Sequence, residues 1–236
     1  MKTSTQEANR LLMALREPER KPILQKLRRV TMKVRSKIYE KNRPIKKIYF
    51  PLSGVYSIVS DTKDGKTAEV ATVGNEGVLG LPVFFQTETV PLRAFTQVAG
   101  ECLVMNATDF RSITTDASSS FCRLLYRYAQ ALFNQIAQHA ACSAVHSIEE
   151  RCARWLLMTH DRVVSDEFTL TQEFLAQMLG VRRATVSLAA SGLQHAGLIT
   201  YRRGIIRILD REALESASCE HYALIRDEYH RLAPPA

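Results

Sequence analysis

The sequence predicts an α+β chain in three parts: an N-terminal β-roll (a double-stranded β-helix or jelly roll), a long helix, and a C-terminal winged helix-turn-helix. Three observations predict it. Short β-rich runs separated by turn residues recur between residues 30 and 105, a spacing that marks a sandwich or barrel. From Phe121 to His146, apolar residues then recur every three and four positions, which is helical periodicity. Finally, Thr171 to Gly197 holds two short helical patterns joined at Leu179-Gly180-Val181, with two β-rich runs directly after it.

Taken in order, residues 3 to 30 read as two packing helices. Leu11, Leu12 and Leu15 line the first, and Ile23, Leu24 and Leu27 the second, which Glu17-Pro18-Glu19 opens. From Val30 the period changes to two. Val30-Met32-Val34, Lys37–Glu40, Lys47–Phe50, Val55–Val59, Thr67–Val73, Phe95–Val98 and Cys102–Met105 are the expected strands. Asp64-Gly65 and Gly74-Asn75-Glu76-Gly77 mark turns. Asn106 caps a short helix, and the long helix begins near Ser118. Its seam runs Phe121, Leu125, Tyr128, Leu132, Ile136 and His139, longer than one subunit is expected to cover. That predicts pairing with a second copy across a two-fold axis. A further helix, Ser147 to Val163, leads through Asp161–Phe168 into the C-terminal part.

In that part, Thr171 caps the first helix, and Phe174, Leu175 and Met178 share one face. Gly180 supplies the positive φ of a tight corner. Arg182 and Arg183 open the second helix; Val186, Ala189, Ala190 and Leu193 form its packing side, and Gly197 stops it. Arg202-Arg203-Gly204 turns between Leu198–Tyr201 and Ile205–Leu209, making a basic-tipped wing. A helix-turn-helix places the start of its second helix at base edges in the major groove. The expected DNA-binding residues are therefore Thr171, Gln172, Arg182, Arg183, Thr185 and Ser187, with Arg202 and Arg203 against phosphates. The tail, Glu212 to Tyr229, is expected to be mostly helical.

Composition sets outer bounds. A chain of 236 residues with 46% hydrophobic content can bury real cores. No apolar run approaches the roughly 20 residues of a membrane helix, and the start, Met-Lys-Thr-Ser-Thr-Gln-Glu, lacks a secretion signal. The expectation is a cytoplasmic protein without membrane contact. The net charge of +8 fits an anionic partner, but basic residues crowd the first 47 positions, so the local arginines carry the double-stranded DNA reading. Five cysteines, Cys102, Cys122, Cys142, Cys152 and Cys219, show no metal-ligand spacing. They are expected to be reduced, buried thiols, with no metal and no cofactor. The six histidines sit by no nucleophile pattern and no phosphate loop, so an enzyme is not expected. The rival reading is a ligand-gated signalling or interaction module without a specific DNA target.

Over essentially its full length the chain resembles the CRP/FNR family of bacterial transcription regulators. The residues that carry the resemblance are Tyr49-Phe50-Pro51-Leu52-Ser53-Gly54, Gly74-Asn75-Glu76-Gly77, the long helix, and Phe174 to Leu209. It implies a cyclic-nucleotide-binding-like sensor domain over residues 1–116, a dimerisation helix over 117–146, and a DNA-binding domain over 147–236. It implies a homodimer on a pseudo-palindromic site, and RNA polymerase as a candidate partner. Arg183 falls where the family's main base-reading arginine lies. The family's following Glu is Ala184 here, and its arginine one turn later is Leu188, so the DNA sequence read must differ. The sensor differs too. Gly80-Leu81-Pro82 replaces the family's Gly-Glu-Leu, and Arg93 lacks the Ser or Thr that follows the phosphate-binding arginine. Gly80 and Arg93 are the effector-binding candidates, and the effector is expected not to be a cyclic nucleotide. His139 and His146, seven apart, are expected at the interface, not on a haem.

Overall fold

The computed structural model describes residues 8–163 and 165–233, so the part of the first predicted helix before residue 8 lies outside it. Two short helices open the chain, α1 (Arg10–Met13) and α2 (Glu17–Leu24). Asn9 caps α1 by accepting from the Leu12 N–H at 3.0 Å. Its amide donates at 2.9 Å to the carbonyls of Pro51 and Gly77, which ties the start of the chain to two turns of the domain that follows.

Seven strands form that domain: β1 (Arg28–Met32), β2 (Lys37–Tyr39), β3 (Lys47–Pro51), β4 (Val55–Asp61), β5 (Thr67–Val73), β6 (Arg93–Val98) and β7 (Gly100–Asn106). All pairings are antiparallel. One sheet has the order β1-β7-β3 and the other β2-β6-β4-β5. Ile48, Phe50, Val55, Tyr56 and Val59 are fully buried in the roll. Burying side chains of that size contributes roughly 1.5–3 kcal/mol each. The α+β architecture is the one the sequence predicts.

After α3 (Ala107–Ile113), Ser119 caps the 26-residue helix α4 (Ser120–Val145). The structure gives the first half of the predicted seam partners within its own chain. Phe121, Leu125 and Tyr128 are buried inside their own chain. Phe121 meets Phe110 edge-on, and Tyr128 donates to the Val78 carbonyl at 3.1 Å. Gly77 lies directly beneath that ring; a Cβ there would come within 2.5 Å of the Tyr128 hydroxyl. Leu132 and Ile136 border a cleft of the β-roll, and His139 sits half-buried beside Arg154. Leu132 and Ile136 stay partly exposed at the border of the face that α4 leaves open. That face carries Tyr126, Phe133 (64% exposed), Ala137, Ala140 and Ala144, again at heptad spacing. Helical periodicity reports that a face is buried, not what buries it, and α4 has two such faces.

The capping box of Ser147 and Glu150 starts α5 (Ile148–His160). The C-terminal part continues with β8 (Glu167–Thr169), α6 (Gln172–Leu179), α7 (Arg183–His195), β9 (Ile199–Arg202) and β10 (Ile205–Ile208). Strand β8 lies in the stretch the sequence suggested as a connector. It makes the wing a three-stranded sheet, β8-β10-β9. The tail forms α8 (Arg211–Ser216) and α9 (His221–Leu232). Helix α9 folds back along α4, where the Tyr229 hydroxyl donates to Gln135 at 2.8 Å.

The two halves meet at the Gly74–Gly77 turn. Arg162, just past α5, donates to Glu76 Oε1 from Nε at 2.9 Å and from Nη2 at 2.8 Å. Both side chains are almost wholly buried. Burial alone would raise the Glu76 carboxyl, but the charge and hydrogen bonds of Arg162 outweigh it and hold the group below the usual range. Removing one partner strands a buried charge. Arg162→Ala should therefore lower stability by roughly 3–5 kcal/mol in urea unfolding. Arg162→Met combined with Glu76→Gln leaves no orphaned charge and should lose less. A single replacement that costs nothing would show that the pair does not join the halves.

Candidate nucleic-acid interface and effector cleft

The helix-turn-helix is built locally as its residues require. Thr171 Oγ1 accepts from the Phe174 N–H at 3.1 Å and caps α6. Gly180 takes φ +66 at the corner, a left-handed conformation that a residue with a side chain adopts only under strain. Leu175 and Met178 of α6 and Val186, Ala189 and Leu193 of α7 are buried, as the sequence predicts, while Phe174, expected on the same face, turns instead to Phe95 of β6. Arg203 (φ 51) and Gly204 (φ 78) form the two-residue turn between β9 and β10. Positive φ at both positions is what a type I′ hairpin needs, and it puts Arg203 at the tip of the wing.

Thr171, Gln172, Arg183 and Arg203 converge on one open groove between the start of α6, the start of α7 and the wing. Glu173, Tyr201 and Gly204 complete its lining. Arg182 and Arg202 are exposed but do not line it, and Thr185 and Ser187 are half-buried on α7. Sequence reasoning missed Tyr201. Its hydroxyl donates to the Leu170 carbonyl at 2.9 Å, and its N–H donates to Gln194 at 2.7 Å. Burial pushes the phenol up to about 12, so it remains a neutral donor. The rest of the exposed face of α7 is weakly polar: Ala184 and Ser191 are exposed, and Leu188 is 74% exposed.

The two effector candidates are not brought together. Gly80 borders an apolar cleft of about 130 Å³ between the β-roll and α4, lined among others by Tyr39, Leu81, Phe85, Leu132 and Ile136. No charged residue lines it. Arg93 lies elsewhere. Its Nε is 2.6 Å from Asp61 Oδ2, and it stacks over Phe95, whose ring meets Phe174 of α6 edge-on. The hydrogen bond from Arg93 is the main reason the Asp61 carboxyl lies below its usual range. A phosphate on Arg93 would have to displace Asp61. The ion pair fits the weak hydroxyl complement around Arg93 in the sequence.

Helix α6 and strand β5 pack together, and α5 adds a polar seam above them. Trp155 Nε1 donates to Glu69 Oε2 at 2.8 Å, and Gln97 donates to Thr159 at 3.4 Å. Glu69 is buried on β5 without an ion-pair partner among the described residues. Burial raises its carboxyl to about 7, against the smaller opposing pull of its hydrogen bonds. The DNA-binding half thus rests on the β-roll with its groove turned to solvent. Among the described residues no helix is long and apolar enough to cross a membrane.

Comparison with known proteins fits this geometry. The family model described as a cyclic nucleotide-binding domain matches residues 29–116, and the one described as a Crp-like helix-turn-helix domain matches residues 150–217. No curated protein matches the chain. Among solved structures, FixK2 from Bradyrhizobium japonicum is similar at 18% identity and a TM-score of 0.69, covering 82% of this chain and 98% of its own. The c-di-GMP responsive global regulator CLP from Xanthomonas campestris has 18% identity and a TM-score of 0.63, covering 82% and 99%. TTHB099, a CRP-family transcriptional regulator from Thermus thermophilus, has 18% identity and a TM-score of 0.65, covering 81% and 96%. At such identities the structures speak for the fold alone.

Glu69 gives this junction a pH dependence. Its folded pKa, about 7, lies above the ordinary 4.5. Its contribution is therefore fully present below about pH 4.5 and is lost as pH rises through about 7. Thermal unfolding should show a loss of up to about 3 kcal/mol across that window. Glu69→Gln should flatten the profile, and an unchanged profile in that variant would discard Glu69 as the titrating group.

Proposed function

Because the chain belongs to the CRP/FNR family of bacterial transcription regulators, we propose that it works as a homodimer on a pseudo-palindromic DNA site and responds to an effector other than a cyclic nucleotide. The helix-turn-helix makes it a DNA-binding regulator. The observation that carries the finer reading is the convergence of Thr171, Gln172, Arg183 and Arg203 on one solvent-facing groove. Arg183 reads a guanine edge, because its planar fork can bond O6 and N7 together. Thr171 and Gln172 meet backbone phosphates at the start of α6, where free N–H groups and the helix dipole favour anions. Arg203, with Arg202 beside it, holds phosphates from the wing. Arg182, Thr185 and Ser187 extend the contact along α7. Leu188 and Ala184 offer apolar surface of the kind that meets thymine methyl groups.

The proposed working units are residues 1–116 for sensing, 117–146 for pairing and 147–236 for DNA. Pairing uses the open face of α4, where Ala137, Ala140 and Ala144 let two helices approach closely and Tyr126 and Phe133 supply apolar area. The cleft beside Gly80 suits a small apolar ligand, since a cyclic phosphate would meet no cation there. Family membership also makes RNA polymerase a proposed partner.

Two measurements test this. In anisotropy titrations against a selected operator and its single-base variants, Arg183→Ala should cost roughly 1–3 kcal/mol and relax preference at one base pair of each half-site. Arg203→Ala should weaken all sequences alike and reduce the salt slope by about 1. Unchanged preference at every position would remove Arg183 from base reading.

Sedimentation of Phe133→Asp tests the pairing face. Two charges opposed across the axis should yield monomers that have lost tight operator binding while each β-roll stays folded. A Phe133→Asp variant that still dimerises would place the interface elsewhere.

A further inference from the structure

Four side chains from distant parts of the sequence meet where α4 ends. Cys142 and His146 lie one turn apart in the last stretch of α4, and so share a face. Cys219 and His221 flank Glu220 at the start of α9. The sulfurs of Cys142 and Cys219 are 3.3 Å apart, and both residues are buried. The donor atoms of Cys142, Cys219 and His221 all lie within 4.8 Å of one another. Those of His146, Glu220 and His221 do the same, so His221 belongs to both groups. The His146 and His221 rings meet edge-on with centroids 5.0 Å apart. His221 Nδ1 is buried and finds no hydrogen-bond partner.

We propose that Cys142, Cys219, His221 and His146 form a binding site for a zinc-class divalent metal ion. Zinc takes thiolate and imidazole ligands in a tetrahedron, with Zn–S of about 2.3 Å and Zn–N of about 2.0–2.1 Å. Those bond lengths set donor atoms roughly 3.3–3.8 Å apart; the donors of Cys142, Cys219 and His221 already lie within 4.8 Å of one another, and the His146 ring stands against that of His221. The donor set is soft and borderline, as zinc prefers and calcium or magnesium do not. An ion would also supply the partner that the buried nitrogen of His221 lacks. A disulfide between Cys142 and Cys219 would use neither histidine and would leave that nitrogen unpaired.

Arg154 brings a buried positive charge against Cys142. It is fully buried and makes no ion pair with a carboxylate among the described residues; besides Cys142 it meets Met158 Sδ at 3.3 Å and His139 Nδ1 at 3.4 Å. Burial and the same arginine push His139 down to about 3, so it stays neutral and adds no competing charge. A bound ion would join the last turn of α4 to α9 at the His146–Ser147 joint, where the DNA-binding half begins.

The full chain, purified under reductant and stripped with a chelator, should bind one zinc ion per protomer by elemental analysis after desalting. Cobalt substituted for zinc should give the visible bands of a tetrahedral site together with sulfur-to-cobalt charge transfer. Competition with a chromophoric chelator should show Cys142→Ser and His221→Gln losing affinity by more than the roughly 10–100-fold that even an outer-shell change costs. His195→Gln, at the exposed end of α7, should match the parent protein. Substoichiometric zinc, a cobalt spectrum without a sulfur band, or full affinity in Cys142→Ser would overturn the proposal. So would mass spectrometry showing a Cys142–Cys219 disulfide in protein that takes up no metal after reduction. The cobalt spectrum of the parent protein decides the matter even if a variant fails to fold.

Discussion

The buried pair of Glu76 and Arg162 is the contact on which the relation between the two halves depends. One carboxylate oxygen takes both guanidinium hydrogen bonds and also accepts from the Gly74 N–H at 2.9 Å. Two charges leave water to make it, so the geometry must be good for the pair to hold. The Gly74–Gly77 turn supplies that geometry. Gly74 has no side chain because Arg162 fills the space where one would stand, and Gly77 has none because Tyr128 does. Asn9 clamps the carbonyl of Gly77 from the other side. A single turn of four residues thus receives the N-terminal helix, α4 and the end of α5. In the sequence it reads as a turn and as part of the family resemblance, and its weight as a joint becomes visible only once its partners are placed.

Much of the fold was legible because its signals are local. Strand alternation, the Gly180 corner, the Thr171 cap and the basic wing each follow from a few adjacent residues. The groove that Arg183 and Arg203 line was legible in the same way, since the helix start and the hairpin tip set those two residues. What was not legible depends on long-range packing. The apolar residues of α4 report one buried face strongly, yet the β-roll takes that face and the alanine-rich one stays open. The tail pattern predicts helix but not that α9 lies along α4. Cysteine spacing gave no metal pattern, because Cys142 and Cys219 are 77 residues apart and become neighbours only through that return.

The orientation of α6 shows how one short helix can serve both halves. Its inner face, Leu175 and Met178, packs on α7. Phe174 turns to Phe95 of the β-roll, and the start of the helix opens to solvent beside Arg183. These directions are separate, so contact with the β-roll does not cover the groove. One short helix thus touches the β-roll through Phe174 and borders the groove through Thr171 and Gln172.

Two buried carboxylates sit at that junction, and they ionise in opposite directions for a simple reason. Glu76 has a full cation against it, so desolvation is outweighed and the charged form persists. Glu69 has a neutral indole N–H at 2.8 Å, and the charge of Arg154 reaches it only as a minor influence, so desolvation prevails. The hydrogen bond from Trp155 can be kept in either state, but the charged state would sit in apolar surroundings without a counter-ion. The first contact therefore behaves as a fixed joint over the range where carboxylates are ionised, and the second as a joint that loosens near neutrality. Because β5 carries Glu69 and also packs against α6, loosening falls on the element that touches the helix-turn-helix. Any ligand that closes the β-roll more tightly around Glu69 would oppose its ionisation by the same free energy with which ionisation opposes closure.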